Sequence, residues 1–340
     1  MLYLLALPLL IIVGVLVFLL LQPGEISVRR SLVIHCPPEA AFAQVRDLRG
    51  WPQWSPWLLH EPDAALNWSD DPGAERGWYA WSGRLIGAGR ITHVSLHPTE
   101  RIEQRIDFKR PFKSTGAVSW EFRATTQEDV PATEVFWTMR GRMAFLVRFM
   151  APAMAQLIGK DFELGLVRLR ALLEPGAPKL DIRFCGVEQR AKTLALTLPF
   201  DGGRDEVAAA MRAGFERLAA TAAEHGIEPI GPPFSVYYLA DAKSGRLCCD
   251  MALPVPADAH LGELTHRRFD GGPCQVTEVQ GSWDFMELAW HAALAHLRMT
   301  KAVWERSRGS MEEYVAGPDA VADADQLVTR IWLPVKAHKG

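Results

Sequence analysis

The chain opens on an unbroken apolar run. From Met1 to Leu21 no side chain is charged or strongly polar, and the first charge is Glu25. As a helix, a run of this length spans about 30 Å, the thickness of a hydrocarbon core. No Lys or Arg precedes it and no small-x-small cleavage site follows, so it predicts an uncleaved transmembrane anchor over residues 1–22. Arg29 and Arg30 then predict a single-pass protein of the inner membrane with its bulk facing the cytoplasm.

Beyond Glu25 the periodicity changes to two. Ile26, Val28, Leu32 and Ile34 alternate with polar residues, as in a half-buried strand. Pro37-Pro38-Glu39 predicts a helix start, with Phe42 and Val45 on one face. The run Trp51–Trp57 cannot be a regular helix, because Pro56 restricts Ser55. Strand-like runs follow at 77–83, 89–97, 101–108, 116–123 and 133–141. Met154–Leu173 predicts a long helix with Leu157, Leu169 and Leu172 facing inward, and Pro175-Gly176-Ala177-Pro178 reads as a linker.

The rest of the chain repeats one plan. A strand over 181–198 leads to a helix from Asp205 to about His225, where Val207, Met211, Phe215, Leu218 and Ala222 share a face and Gly226 supplies the cap. Strands at 234–239 and 246–253 complete the first half. The second half runs from strands at 262–269 and 274–280 through a helix opened by Asp284 and Glu287. It ends in strands at 311–315 and 328–334. Two like units sharing an interface are a natural place for a cleft.

Composition narrows the function. A net charge of -3 and a pI near 6.4 leave no basic footprint for nucleic acid. Cys36, Cys185, Cys248, Cys249 and Cys274 show no metal-ligand spacing, and they read as free thiols. No metal or cofactor is implied, and nothing identifies a protein partner. Twelve Trp against five Tyr is an unusual balance, since a buried indole needs a partner for its N–H.

Several wordings in the first region resemble the SRPBCC (START-like, polyketide cyclase/dehydrase) superfamily. They are Asp47–Trp57, Trp78–Gly83, Gly87–Thr92, Arg110-Pro111-Phe112 and Gly159–Leu166. The resemblance implies a helix-grip fold, a curved antiparallel sheet around one long helix, with a deep apolar cavity for hydrophobic ligands. Trp54, Trp57, Trp81, Phe112, Trp120 and Trp137 are its candidate lining. His93 and Glu103 lie on strand-like runs, where a lone His or Glu is more often a solvated face or a satisfied polar group than a catalyst, so no catalytic residue is assigned.

The second region is similar to GyrI-like effector-binding domains, through Gly231–Tyr237, Val279–Trp283, Met311–Pro318 and Ile331–Val335. That family pairs two small α/β units around a cleft for drug-like, often cationic aromatic molecules. The resemblance places Glu312 as the acidic group facing the ligand, with Tyr314, Tyr237 and Trp283 beside it. On a strand Glu312 and Tyr314 share a face and Glu313 points away. Met311 stands where the family has an aromatic residue, Trp283 where it has a Tyr, and Arg330 where an acidic residue is common.

The expectation is therefore an α+β chain: a transmembrane helix over 1–22, a helix-grip domain over 25–175, a linker over 176–180 and a duplicated α/β effector-binding domain over 181–337. Its function would be membrane-tethered binding or sensing of small hydrophobic, cationic aromatic molecules through two pockets. The alternative is a hydrolase or cyclase acting on a reactive hydrophobic molecule with Glu312 as general base. A transcription regulator is disfavoured, because no helix-turn-helix or basic footprint precedes the effector module.

Overall fold

The computed structural model describes residues 14–241 and 244–336. The chain separates into two compact units that meet in sequence at Ala177 and Pro178.

The expected membrane span is not found. Residues 1–13 lie outside the described residues, and the helix that is described (α1) covers only 14–21. Among the described residues no helix is long and apolar enough to cross a membrane. The transmembrane element of the expected fold and the inner-membrane localisation fall with it. Arg29 and Arg30, which suggested an orientation, belong to a strand and hold ion pairs there, to Glu121 at 3.3 Å and to Glu163 at 2.7 Å.

The first unit is a seven-stranded antiparallel sheet ordered β1-β7-β6-β5-β4-β3-β2. In chain order its elements are β1 (Glu25–Ile34), α2 (Pro38–Arg46), β2 (Ala65–Trp68), β3 (Trp78–Ser82), β4 (Ala88–His97), β5 (Arg101–Arg110), β6 (Ser114–Gln127), β7 (Val130–Arg142) and α3 (Ala151–Leu173). Pro38 opens α2 where a helix leaves its first N–H groups unbonded anyway, and Ala41, Phe42 and Val45 are its buried face. Glu128 and Asp129, both at positive φ, form a tight turn that fixes the register Gln127↔Val130 of the longest hairpin.

Helix α3 packs along β1, with Gly159 beside the Arg30 side chain. A Cβ there would lie 2.3 Å from the Arg30 guanidinium. The inward face of α3 carries Phe162, Leu166 and Leu169. Leu157 and Leu172, expected inward, are exposed at 36% and 46%.

The second unit is one eight-stranded antiparallel sheet, ordered β12-β9-β11-β10-β14-β15-β13-β8. Its elements are β8 (Leu180–Arg190), β9 (Thr193–Gly203), α4 (Val207–Glu224), β10 (Phe234–Ala240), β11 (Arg246–Pro254), β12 (His266–Phe269), β13 (Gly272–Gly281), α5 (Met286–Met299), β14 (Ser310–Ala316) and β15 (Val328–Pro334). The single strand expected over 181–198 is two, β8 and β9, joined by Ala191 and Lys192.

The order strand-strand-helix-strand-strand thus occurs twice, and the two sets meet at β10 and β14. Each set lends its first strand to the far edge of the other: β12 extends the first set and β8 the second. Since Ala191-Lys192 alone join an edge strand to the opposite flank, the sheet must curl. Arg190 on β8 pairs with Glu313 on β14 at 3.1 Å and lies 4.8 Å from the Phe234 ring on β10. In a flat sheet strands β8 and β10 would be about 19 Å apart, at the usual ~4.8 Å per strand. The concave side holds Phe234, Val236, Phe269, Cys274, Val276, Met311 and Trp332, while α4 and α5 cover the convex side.

Candidate functional site

In the first unit, the space between α3 and the sheet is occupied by the unit's own aromatic rings. Trp120 stacks on Trp137 at 4.3 Å, and Trp137 stacks on Phe162 of α3 at 4.0 Å. Trp51 and Trp54 pack edge-on against both tryptophans, and Trp51, Trp54, Trp120 and Trp137 are all at most 1% exposed. Gly165 leaves room for this stack, since a Cβ there would sit 2.7 Å from Trp137.

The candidate cavity lining therefore divides. Trp54 and Trp120 are core. Trp57 and Trp81 are half-buried at its margin, with Trp57 Nε1 donating to Asp161 Oδ2 at 3.1 Å and Trp81 lying 6.0 Å from Phe108. Phe112, in the β5–β6 connection, is 80% exposed and is not part of this group. Trp51, Tyr79 and Phe162, which lie in the stretches that carry the resemblance but outside the candidate lining, also belong to the cluster.

Trp120, Gln104 and His93 form a hydrogen-bonded chain within this core. Trp120 Nε1 donates to Gln104 Oε1 at 3.1 Å, and Gln104 Nε2 approaches His93 Nδ1 at 3.4 Å. His93 Nε2 meets the Arg46 carbonyl at 3.0 Å, which makes it the protonated nitrogen. Burial holds the His93 imidazole below its ordinary value, so it remains neutral and fully engaged. Glu103 turns outward to Ser95 and Arg101. A groove of about 860 Å³ runs over the outer face of the same sheet, between Ser27, Arg105, Ala117 and Arg140. It is open to solvent and holds no titratable cluster of unusual chemistry.

The second unit arranges its aromatics differently. The register Ser235↔Glu312 and Tyr237↔Ser310 places Ser235, Tyr237, Glu312 and Tyr314 on the helix-covered face, where β10 and β14 meet. Tyr237 Oη and Tyr314 Oη each lie 2.8 Å from Glu312 Oε2 and donate to it. Trp290 Nε1, on α5, donates to Glu312 Oε1. From α4, Met211 approaches Ser235 Oγ and Phe215 lies edge-on to Tyr314 at 5.5 Å. Trp283 covers the other side of Tyr314 at 5.4 Å, with its Nε1 held by Thr329 Oγ1 at 3.0 Å.

Glu312 is 7% exposed. Its chain neighbour Glu313, on the concave face, is matched by Arg190, but among the described residues Glu312 has no cationic partner. Burial first, and then the Glu312 charge, push both tyrosine phenols well above the ordinary value, so at neutral pH they act as donors. Cys249, opposite Tyr237 on β11, has its thiol pushed up to about 12 by burial and nearby acidic groups, so at neutral pH it is no nucleophile. No cluster of metal-ligating side chains occurs among the described residues.

Trp290 went unremarked in the sequence. Its signal was the general one, a half-buried indole on an amphipathic helix that needs an acceptor.

Residues 25–174 match the family described as polyketide cyclase / dehydrase and lipid transport. They form a polyketide cyclase/dehydrase (SRPBCC-like) domain, a fold that binds small hydrophobic ligands. Among solved structures, the chain is similar to a protein of Chromobacterium violaceum at 15% identity, over 44% of this chain and 97% of that one, with a TM-score of 0.33. It is also similar to the C-terminal domain of EcmrR, at 11% identity over 47% and 98% of the two chains and a TM-score of 0.36. EcmrR in a DNA complex is similar at 12% identity over 57% and 72%, with a TM-score of 0.39. No curated protein matches the chain.

Proposed function

We propose that the second unit is a GyrI-like binding module for small aromatic cations, and that the Glu312 cleft is where this protein takes its ligand. One observation carries the reading: a nearly buried carboxylate is held by three neutral donors and has no counter-cation among the described residues. Burying a charge costs several kcal/mol unless it is paired, and neutral donors supply hydrogen bonds but no opposite charge. A bound cation supplies the missing partner, and the aromatic faces of Tyr237, Trp283 and Trp290 attract it through their quadrupoles.

The first unit has the ligand-binding fold but fills its interior with tryptophan, so we assign the ligand to the second unit. A rhodamine-type cationic dye, followed by fluorescence anisotropy on the full chain, binds the wild type. Glu312→Gln weakens that binding about tenfold or more, the scale of one charge-assisted contact, while a neutral dye of the same shape is indifferent to the change. Equal affinity of wild type and Glu312→Gln for the cation would sink the reading.

A further inference from the structure

A carboxylate offers about four lone-pair positions, two on each oxygen. Around Glu312, with the single Tyr314 proton on the carboxylate at 2.8 Å and not on Ser235 Oγ at 3.1 Å, Tyr237 and Tyr314 take both positions on Oε2, and Trp290 takes one on Oε1. A single acceptor position remains, on Oε1. The neighbouring hydroxyls do not add to it, because the two tyrosines are committed to Glu312 and Ser235 Oγ sits between Met211 and Tyr314.

We propose that Trp290 sets the class of cation the cleft accepts: one presenting a single N–H, such as a protonated tertiary amine on a flat aromatic frame. This rests on the reading of the Glu312 cleft as a cation site. The forked donors of an amidinium or guanidinium need two free acceptor positions, and the carboxylate offers one. A quaternary ammonium has charge but no N–H, so it leaves the last Oε1 position unfilled in a site shielded from water. Either loss is that of one charge-assisted hydrogen bond. Trp290 is thus a specificity-determining residue through its N–H, while its ring, edge-on to Tyr237 at 5.8 Å, serves as a wall.

The test uses three cations on one frame, titrated calorimetrically into the full chain at pH 7: N,N-dimethyl-2-naphthylmethylamine, its N,N,N-trimethylammonium counterpart, and 2-naphthamidine. The tertiary amine binds about tenfold more tightly than either of the others. Trp290→Phe keeps a ring but returns a second position to Oε1, where both amidine N–H groups can converge. The amidine then gains about fivefold relative to the tertiary amine.

A quaternary ion that binds wild type as tightly as the tertiary amine would show that charge alone selects. An unchanged ranking in Trp290→Phe would overturn the role of Trp290. In either case, continued loss of binding in Glu312→Gln leaves the cation site itself standing. Should none of the three bind, or should Glu312→Gln leave all three unaffected, the cation reading and this inference fall together. The wild-type ranking requires no variant to fold.

Discussion

Both units bury tryptophan and tyrosine against an antiparallel sheet under helices, yet they use the rings in opposite ways. In the first, Trp51, Trp54, Trp120, Trp137 and Phe162 pack on one another, and the polar chain Trp120–Gln104–His93 ends on a backbone carbonyl without any charge. In the second, Tyr237, Tyr314, Trp283 and Trp290 surround a carboxylate. Rings that fill space give stability, and rings that aim their N–H and O–H groups at one acceptor leave a site. The first set is fully buried and the second only half-buried, and the two differ in what their polar atoms face.

The largest effect expected from this contrast lies in the stack. Trp120→Ala removes the ring that faces Trp137, and such truncations cost about 3–5 kcal/mol. Chemical denaturation of the full chain should show the first unit unfolding earlier, with cationic-dye binding by the folded protein unchanged. Loss of dye binding at a denaturant-free optimum would mean that the first unit's rings also serve the ligand, and the contrast would collapse.

Acid should strike the second unit at His296, on the covered face of α5. Its ring lies flat against Phe184 at 3.9 Å, and burial lowers its pKa from 6.5 to about 4. The unfolded chain takes up this proton near 6.5 and the folded chain only near 4, so between those values the unfolded state binds more protons. Stability is therefore full above the unfolded value and falls as pH is lowered, by up to about 3 kcal/mol. Thermal melts between pH 7 and pH 4 should show this slope, and His296→Gln should flatten it. A slope that survives the substitution would assign the acid sensitivity elsewhere.

The smallest effect concerns Trp54, whose buried Nε1 has no acceptor among the described residues. Trp54→Phe loses packing but also removes an unsatisfied donor, and these terms, each about 1–3 kcal/mol, nearly cancel. Trp120→Phe, which orphans Gln104 Oε1, should cost clearly more in the same melts. Equal costs would show that the polar chain adds nothing to the stack.

The sequence carried the local part of this picture. Period-two alternation put Glu312 and Tyr314 on one face and Glu313 on the other, and the structure has them so. The β8–β9 break was hidden because Ala191-Lys192 carries no Gly or Pro, while the Gly in that run, Gly186, sits at a bulge. Leu157 and Leu172 misled because helical spacing fits more than one stripe of α3, and only packing against β1 selects Phe162 and Leu169. Trp290 reaches Glu312 across elements 22 positions apart, which no periodicity encodes. The apolar run at the start suggested a lipid environment through its composition alone, and 14–21 is the part of it that is described as helix.

The exchange of first strands between the two halves bears on ancestry. Neither half closes its own flank, so a single ancestral copy of strand-strand-helix-strand-strand would have required a second copy to complete its sheet. Ser235 faces Glu312, and Tyr237 and Tyr314 stand at matching positions beside them, one from each copy. In a symmetric pair, a glutamate at this place would meet its twin directly across the strands, where like charges repel. Two unequal halves on one chain escape that constraint. One carries a hydroxyl and the other a carboxylate, with a tyrosine from each half turned toward the same charge.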